Sequence, residues 1–140
     1  MQFRYMLAAA VLMFGNPAFA AEDPKSLTCT FKIGTARAFE KGKFKQVKAS
    51  PVTFAVADID AEKQTASLQS GKGTSAGTVR VVRAVNALHF IEVVGEGFLN
   101  VTTVYDKDKP TSPHPAVHSR HFGILGQPIV SHYQGFCQSQ

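Results

Sequence analysis

The chain has 140 residues, a net charge of +5 at pH 7, two cysteines and no tryptophan. That length makes one domain, and no coiled-coil heptad, internal repeat or second long apolar stretch interrupts it. Its moderate positive charge, without aromatic residues interleaved among basic ones, argues against nucleic acid as a partner. Abundant Phe, Val and Thr with frequent Gly and Pro favour strands and turns over helices.

The N-terminus carries an export pattern. Arg4 precedes the apolar residues 6–14, Gly15-Asn16-Pro17 breaks that run, and Ala18-Phe19-Ala20 offers small side chains at the two positions a signal peptidase reads. A helix needs roughly 20 apolar residues to cross a bilayer, and this run is shorter. Residues 1–20 are therefore expected to be a signal peptide. The mature domain, residues 21–140, is then expected to be periplasmic or secreted, with no transmembrane segment after cleavage. In such an oxidising compartment the only two cysteines, Cys29 and Cys137, are expected to bond. That bond would set the first and last strands side by side, which is how a meander closes and removes its exposed edges.

Period-two alternation then runs along the mature chain. Residues 27–33 place Leu27, Cys29, Phe31 and Ile33 on one face, residues 35–40 suit a single helical turn, and Glu40-Lys41-Gly42-Lys43 suits a turn before a short edge strand over 44–47. Val52, Phe54 and Val56 alternate ahead of Asp58-Ile59-Asp60-Ala61, a turn whose carboxylates can bond backbone amides. Residues 65–69 lead into the glycine-rich 70–77. Residues 78–85 and 88–94 form a hairpin pattern, and Gly95-Glu96-Gly97 turns the chain into 99–105. The polar, proline-bearing stretch 106–115 is expected to be a loop, followed by strands over 117–125 and 128–137. Eight or nine short strands predict an all-β fold, a small antiparallel up-and-down barrel closed by the disulfide, with a β-sandwich as the alternative. The lack of crossover helices excludes a parallel βαβ sheet.

Cys29-Thr30-Phe31, Gly42-Lys43-Phe44, Ile59-Asp60, Ser119-Arg120-His121 and the ending Ser131-His132-Tyr133-Gln134-Gly135-Phe136-Cys137 give a framework over most of the mature chain. It resembles a group of small secreted proteins of α-proteobacteria with paired terminal cysteines. The resemblance implies export, the disulfide and a compact β fold, and it brings no activity with it.

Several residues carry candidate chemistry. His114, His118 and His121 are candidate metal ligands, since neutral imidazoles bind late transition metals. On a strand, however, His118 and His121 point to opposite faces. Glu92, in the apolar His89-Phe90-Ile91-Glu92-Val93-Val94, must face solvent or find a partner, with Arg80, Arg83 and Arg120 as candidates for a buried ion pair. Lys32, Arg37, Lys41, Lys43, Lys45 and Lys48 are a candidate basic face for an anionic envelope component. Asp58, Asp60 and Glu62 open like a calcium loop, but Lys63 stands where its glycine belongs. The glycines of 71–77 lack the Lys-Ser/Thr ending of a phosphate loop. Asn100-Val101-Thr102 is a glycosylation sequon of little weight in a chain with a bacterial appearance. Ser119 and His121, on opposite strand faces, make no dyad.

These observations favour a non-enzymatic exported barrel with no cofactor, binding a small apolar molecule in its lumen or a surface partner. An envelope-associated structural or stress protein and a histidine-based metal-binding protein are the alternatives. A barrel this small can also be filled by its own side chains. A continuous apolar cavity above roughly 300 Å³ would indicate a carrier, and a packed interior a surface binder.

Overall fold

Alternating β-branched and aromatic residues with short polar breaks give nine antiparallel strands in a computed structural model that describes residues 22–69, 75–94, 97–123 and 126–140. The strands are β1 (Leu27–Glu40), β2 (Lys43–Val47), β3 (Val52–Asp60), β4 (Thr65–Gln69), β5 (Ser75–Arg83), β6 (Ala87–Val94), β7 (Phe98–Tyr105), β8 (His114–Phe122) and β9 (Ile129–Ser139). Seven of them, β3 to β9, follow one another as a meander, and β1 pairs with both β3 and β9. The result is a closed eight-stranded barrel, as the alternation and the cysteines predicted. The extra strand, β2, pairs only with the second half of β1, which keeps β9 on its other side, so β2 extends the sheet locally beyond the barrel. The predicted signal peptide, residues 1–20, lies outside the described residues. Among those residues no helix is long and apolar enough to cross a membrane.

The seam between β1 and β9 sets the barrel's shape. Cys29 and Cys137 are direct cross-strand partners with α-carbons 4.0 Å apart, and both are buried among the core side chains. The bond is thus an internal rung of the barrel. Just beyond it the register slips between Thr30 and Ile33, where one extra residue on β1 makes a bulge. This slip corrects the expected apolar face. Leu27, Cys29 and Phe31 are buried, but Ile33 is 72% exposed. After the bulge Gly34 lies opposite Tyr133, whose ring occupies the space a side chain at 34 would need. On the other strand Gly135 is pressed against the Thr30 carbonyl and Phe31, so a β-carbon there would collide with backbone. Two glycines and a bulge let the seam close.

Other boundaries differ from the expectation for similar reasons. Residues 35–40, which suited a helical turn, continue β1 because β2 and β9 pair with them on either side. The Glu40–Lys43 turn is confirmed, with Lys41 and Gly42 at φ of 49° and 80°, the left-handed pair a two-residue hairpin requires. The β3–β4 turn, read at 58–61, comes three residues later, at 61–64. Asp58 sits in a bulge at φ 53°, Ile59 is buried, and Asp60 accepts a hydrogen bond from the Lys63 amide at 2.8 Å. His114 and Pro115, expected in a loop, begin β8 opposite Cys137 and Phe136.

Two changes test this seam. The disulfide closes a segment with a sequence separation of 108, so reduction, or Cys29→Ala with Cys137→Ala, should lower unfolding stability by about 4–5 kcal/mol on the chain-entropy account. Gly135→Ala should cost at least ~1–3 kcal/mol through backbone overpacking. Urea denaturation measures both, and a change of only a few tenths in either would contradict the close approach described.

Candidate functional site

Closure divides the interior into two ends. Leu27, Val81, Leu88, Val104 and Ala116 fill the end nearest the termini, together with the disulfide. At the other end, where β6 turns into β7 and β8 gives way to β9, the side chains leave a cavity of about 250 Å³. One wall is apolar, made by Val52, Phe54 and Val56 of β3, Leu68 of β4 and Val79 of β5, with Phe90 of β6 beside them. The facing wall carries Glu92, Asn100, Thr102, His118 and Arg120.

The register explains how five polar side chains come together. Phe90 pairs with Thr102, and Thr102 with His118; two residues along, Glu92 pairs with Asn100, and Asn100 with Arg120. Each strand contributes residues i and i+2, which share a face. Two successive rungs across β6, β7 and β8 therefore present polar groups to the lumen.

In the deeper rung, His118 is buried, and its Nδ1 lies 2.8 Å from Thr102 Oγ1. Its ring packs against Phe31 and Phe54, with centroids 5.3 Å away in both cases, and against Tyr133 at 5.9 Å. Burial, aided by the Arg120 charge nearby, holds its pKa down to about 4, so the imidazole is neutral at neutral pH. In the outer rung Asn100 Nδ2 donates to Glu92 Oε2 at 2.7 Å. The amide oxygen of Asn100 is buried and has no hydrogen-bond partner among the described residues. Arg120 also borders a second cavity of about 200 Å³ with Phe98, Phe122, Ile129 and Ser131, so it stands between two open spaces at this end.

The other candidates fall elsewhere. Glu92 forms no ion pair with the expected arginines: Arg80 donates to Gln64 at 2.9 Å, and Arg83 is bound by Asp106 at 2.9 Å and Asp23 at 3.4 Å. Arg120 shares the lumen with Glu92, yet no ion pair joins them among the described residues. The three histidines proposed as a metal set are not brought together. His114 and His118 face inward two pleat repeats apart, with Ala116 between them and His114 Nδ1 on the Tyr105 carbonyl at 2.8 Å, whereas His121 is exposed outside. Among the described residues no group of three metal-ligating side chains forms. Lys32, Arg37, Lys41, Lys43, Lys45 and Lys48 are all exposed, but they do not share one face. Lys43 and Lys45 lie on the side of Ala36 and Ala38, Arg37 on the reverse, and Lys45 pairs with Glu40 at 3.2 Å. A groove of about 700 Å³ at the opposite end is lined by charged residues of both signs, among them Arg83 with its partners Asp23 and Asp106.

Asn100 and Thr102 were missed as lumen residues, although the signal was present. Three consecutive strands carry polar residues on one face, at Glu92, at Asn100 and Thr102, and at His118 and Arg120. The Ser119 Oγ contact to His132 Nδ1, 2.9 Å across the outer face, needed the β8–β9 register to be seen. Compared with known proteins, the chain matches no family model, no curated protein and no solved structure at a significant level. The reading of the site therefore rests on its own geometry.

His118 gives this geometry a measurable consequence. Its pKa is about 4 in the folded chain against 6.5 for the unperturbed side chain. Between those values the unfolded chain takes up a proton that the folded chain refuses, so stability should fall as pH drops through that window. Denaturant unfolding at pH 7 and pH 4.5 should show a loss smaller by about 2 kcal/mol in His118→Phe than in the parent. Equal losses would contradict a buried neutral imidazole.

Proposed function

We propose that the chain is an exported binding module, not an enzyme, that takes one small molecule into the open end of its barrel. The single observation that carries this reading is the divided cavity. An apolar wall on β3 to β5 faces two polar rungs on β6 to β8, and a buried amide oxygen among them has no partner among the described residues. A buried acceptor left without a donor costs about 1–3 kcal/mol, and a ligand N–H or O–H would recover it. The cavity is smaller than the ~300 Å³ at which drug-sized pockets begin, and it is not uniformly apolar. A compact molecule with one apolar and one polar side fits it better than the apolar cargo expected from the sequence. Glu92 and His118 are each held by a neighbour, Asn100 and Thr102, which suits recognition more than proton transfer. The signal-peptide pattern of residues 1–20 and the disulfide support export to an oxidising compartment, periplasmic or extracellular.

Spectra of ¹⁵N-labelled residues 21–140, titrated separately with millimolar benzoate, benzamidine and tyramine, test the proposal. Saturable shifts should centre on the amides of Glu92, Asn100, Thr102 and Arg120. Val79→Phe, which fills the lumen, should weaken them about tenfold or more, and Val117→Phe on the outer surface should not. Absence of shifts, or shifts confined to the outer face, would overturn the reading.

A further inference from the structure

The polar wall presents groups that remain incomplete in a specific way. Glu92 is a half-buried carboxylate with one oxygen bound by Asn100 Nδ2, and Asn100 offers its unpartnered oxygen beside it. Both acceptors call for N–H donors. Arg120, on the far side of Asn100 in the same rung, carries donors and no acceptor. Glu92 and Arg120 stand on strands two spacings of about 4.8 Å apart, and no ion pair joins them among the described residues. His118 beneath them is neutral and adds no charge. The rung thus holds one negative and one positive group on either side of an unsatisfied amide oxygen, facing an apolar wall.

A ligand bearing only an anion would satisfy Arg120 and repel Glu92. One bearing only a cation would do the reverse. A molecule that carries an ammonium next to a carboxylate satisfies both, and a hydrocarbon group on the carbon between them meets Val52, Phe54, Leu68 and Val79. Resting on the lumen-binding reading above, we propose that the ligand is a zwitterion of the α-amino-acid type with an apolar side chain. Its ammonium is held by Glu92 and the Asn100 oxygen, and its carboxylate by Arg120. The small cavity sets the upper size near one such molecule.

Calorimetric titration of residues 21–140 with L-leucine and L-phenylalanine, and with N-acetylphenylalanine and phenylalaninamide, tests this. The free amino acids should bind about tenfold or more tightly than either capped form, since each cap removes one charge-assisted contact. Arg120→Gln should erase the preference over the amide, and Glu92→Gln the preference over the N-acetyl form. Arg120→Lys should restore part of the first preference, and thermal unfolding confirms that each variant is folded. Capped forms binding as tightly as the free amino acids would overturn the proposal. Binding of benzoate or benzamidine without binding of any amino acid would overturn it while leaving the lumen-binding reading intact. If nothing binds, both fail.

Discussion

Cys29 and Cys137 face each other across the ladder between the first and last strands, inside the barrel, and that pairing is the constraint on which the other features depend. A meander of short strands leaves two open edges, each a row of unpaired backbone groups. Pairing β1 with β9 removes both. The bulge after Thr30, with Gly34 and Gly135 at its sides, lets two chains meet there that an unbroken ladder of larger residues would hold apart. The bond, the slip and the glycines act as one device.

Closure at this position also decides what the interior contains. Toward the termini the interior is filled by apolar side chains packed around the disulfide, and the opposite end receives the polar residues of β6 to β8. In-register pairing converts single polar residues on three strands into two rows. A one-residue slip in β7 would turn Asn100 and Thr102 to the outside and bring Leu99 and Val101 in. The site therefore depends on register, and the register is anchored at the seam. His118, wrapped by Phe31, Phe54 and Tyr133, links the two regions, since Phe31 comes from the seam strand and Thr102 from the polar wall.

Much of the architecture was legible in the residues. Strict alternation located most strands, Lys41-Gly42 marked a hairpin, and two distant cysteines pointed to closure. What escaped was whatever depends on pairing rather than on local pattern. Ile33 continues the alternation of Leu27, Cys29 and Phe31, yet a bulge sends it outward. Residues 35–40 lack a clear alternation and became strand because both neighbours pair with them. Glu92 in an apolar strand called for an arginine, but Arg80 and Arg83 had nearer partners in Gln64 and Asp106, and the residue opposite it was an asparagine. Pro115, read as a loop residue, is accommodated near the start of β8.

Amide hydrogen exchange on the oxidised chain tests the closed seam most directly. A barrel without edges predicts that residues 27–31 of β1 and 134–139 of β9 exchange as slowly as the β6–β7 pair, opening only with global unfolding. Exchange of those amides several orders of magnitude faster than in β6 and β7 would mark two free edges and contradict the account.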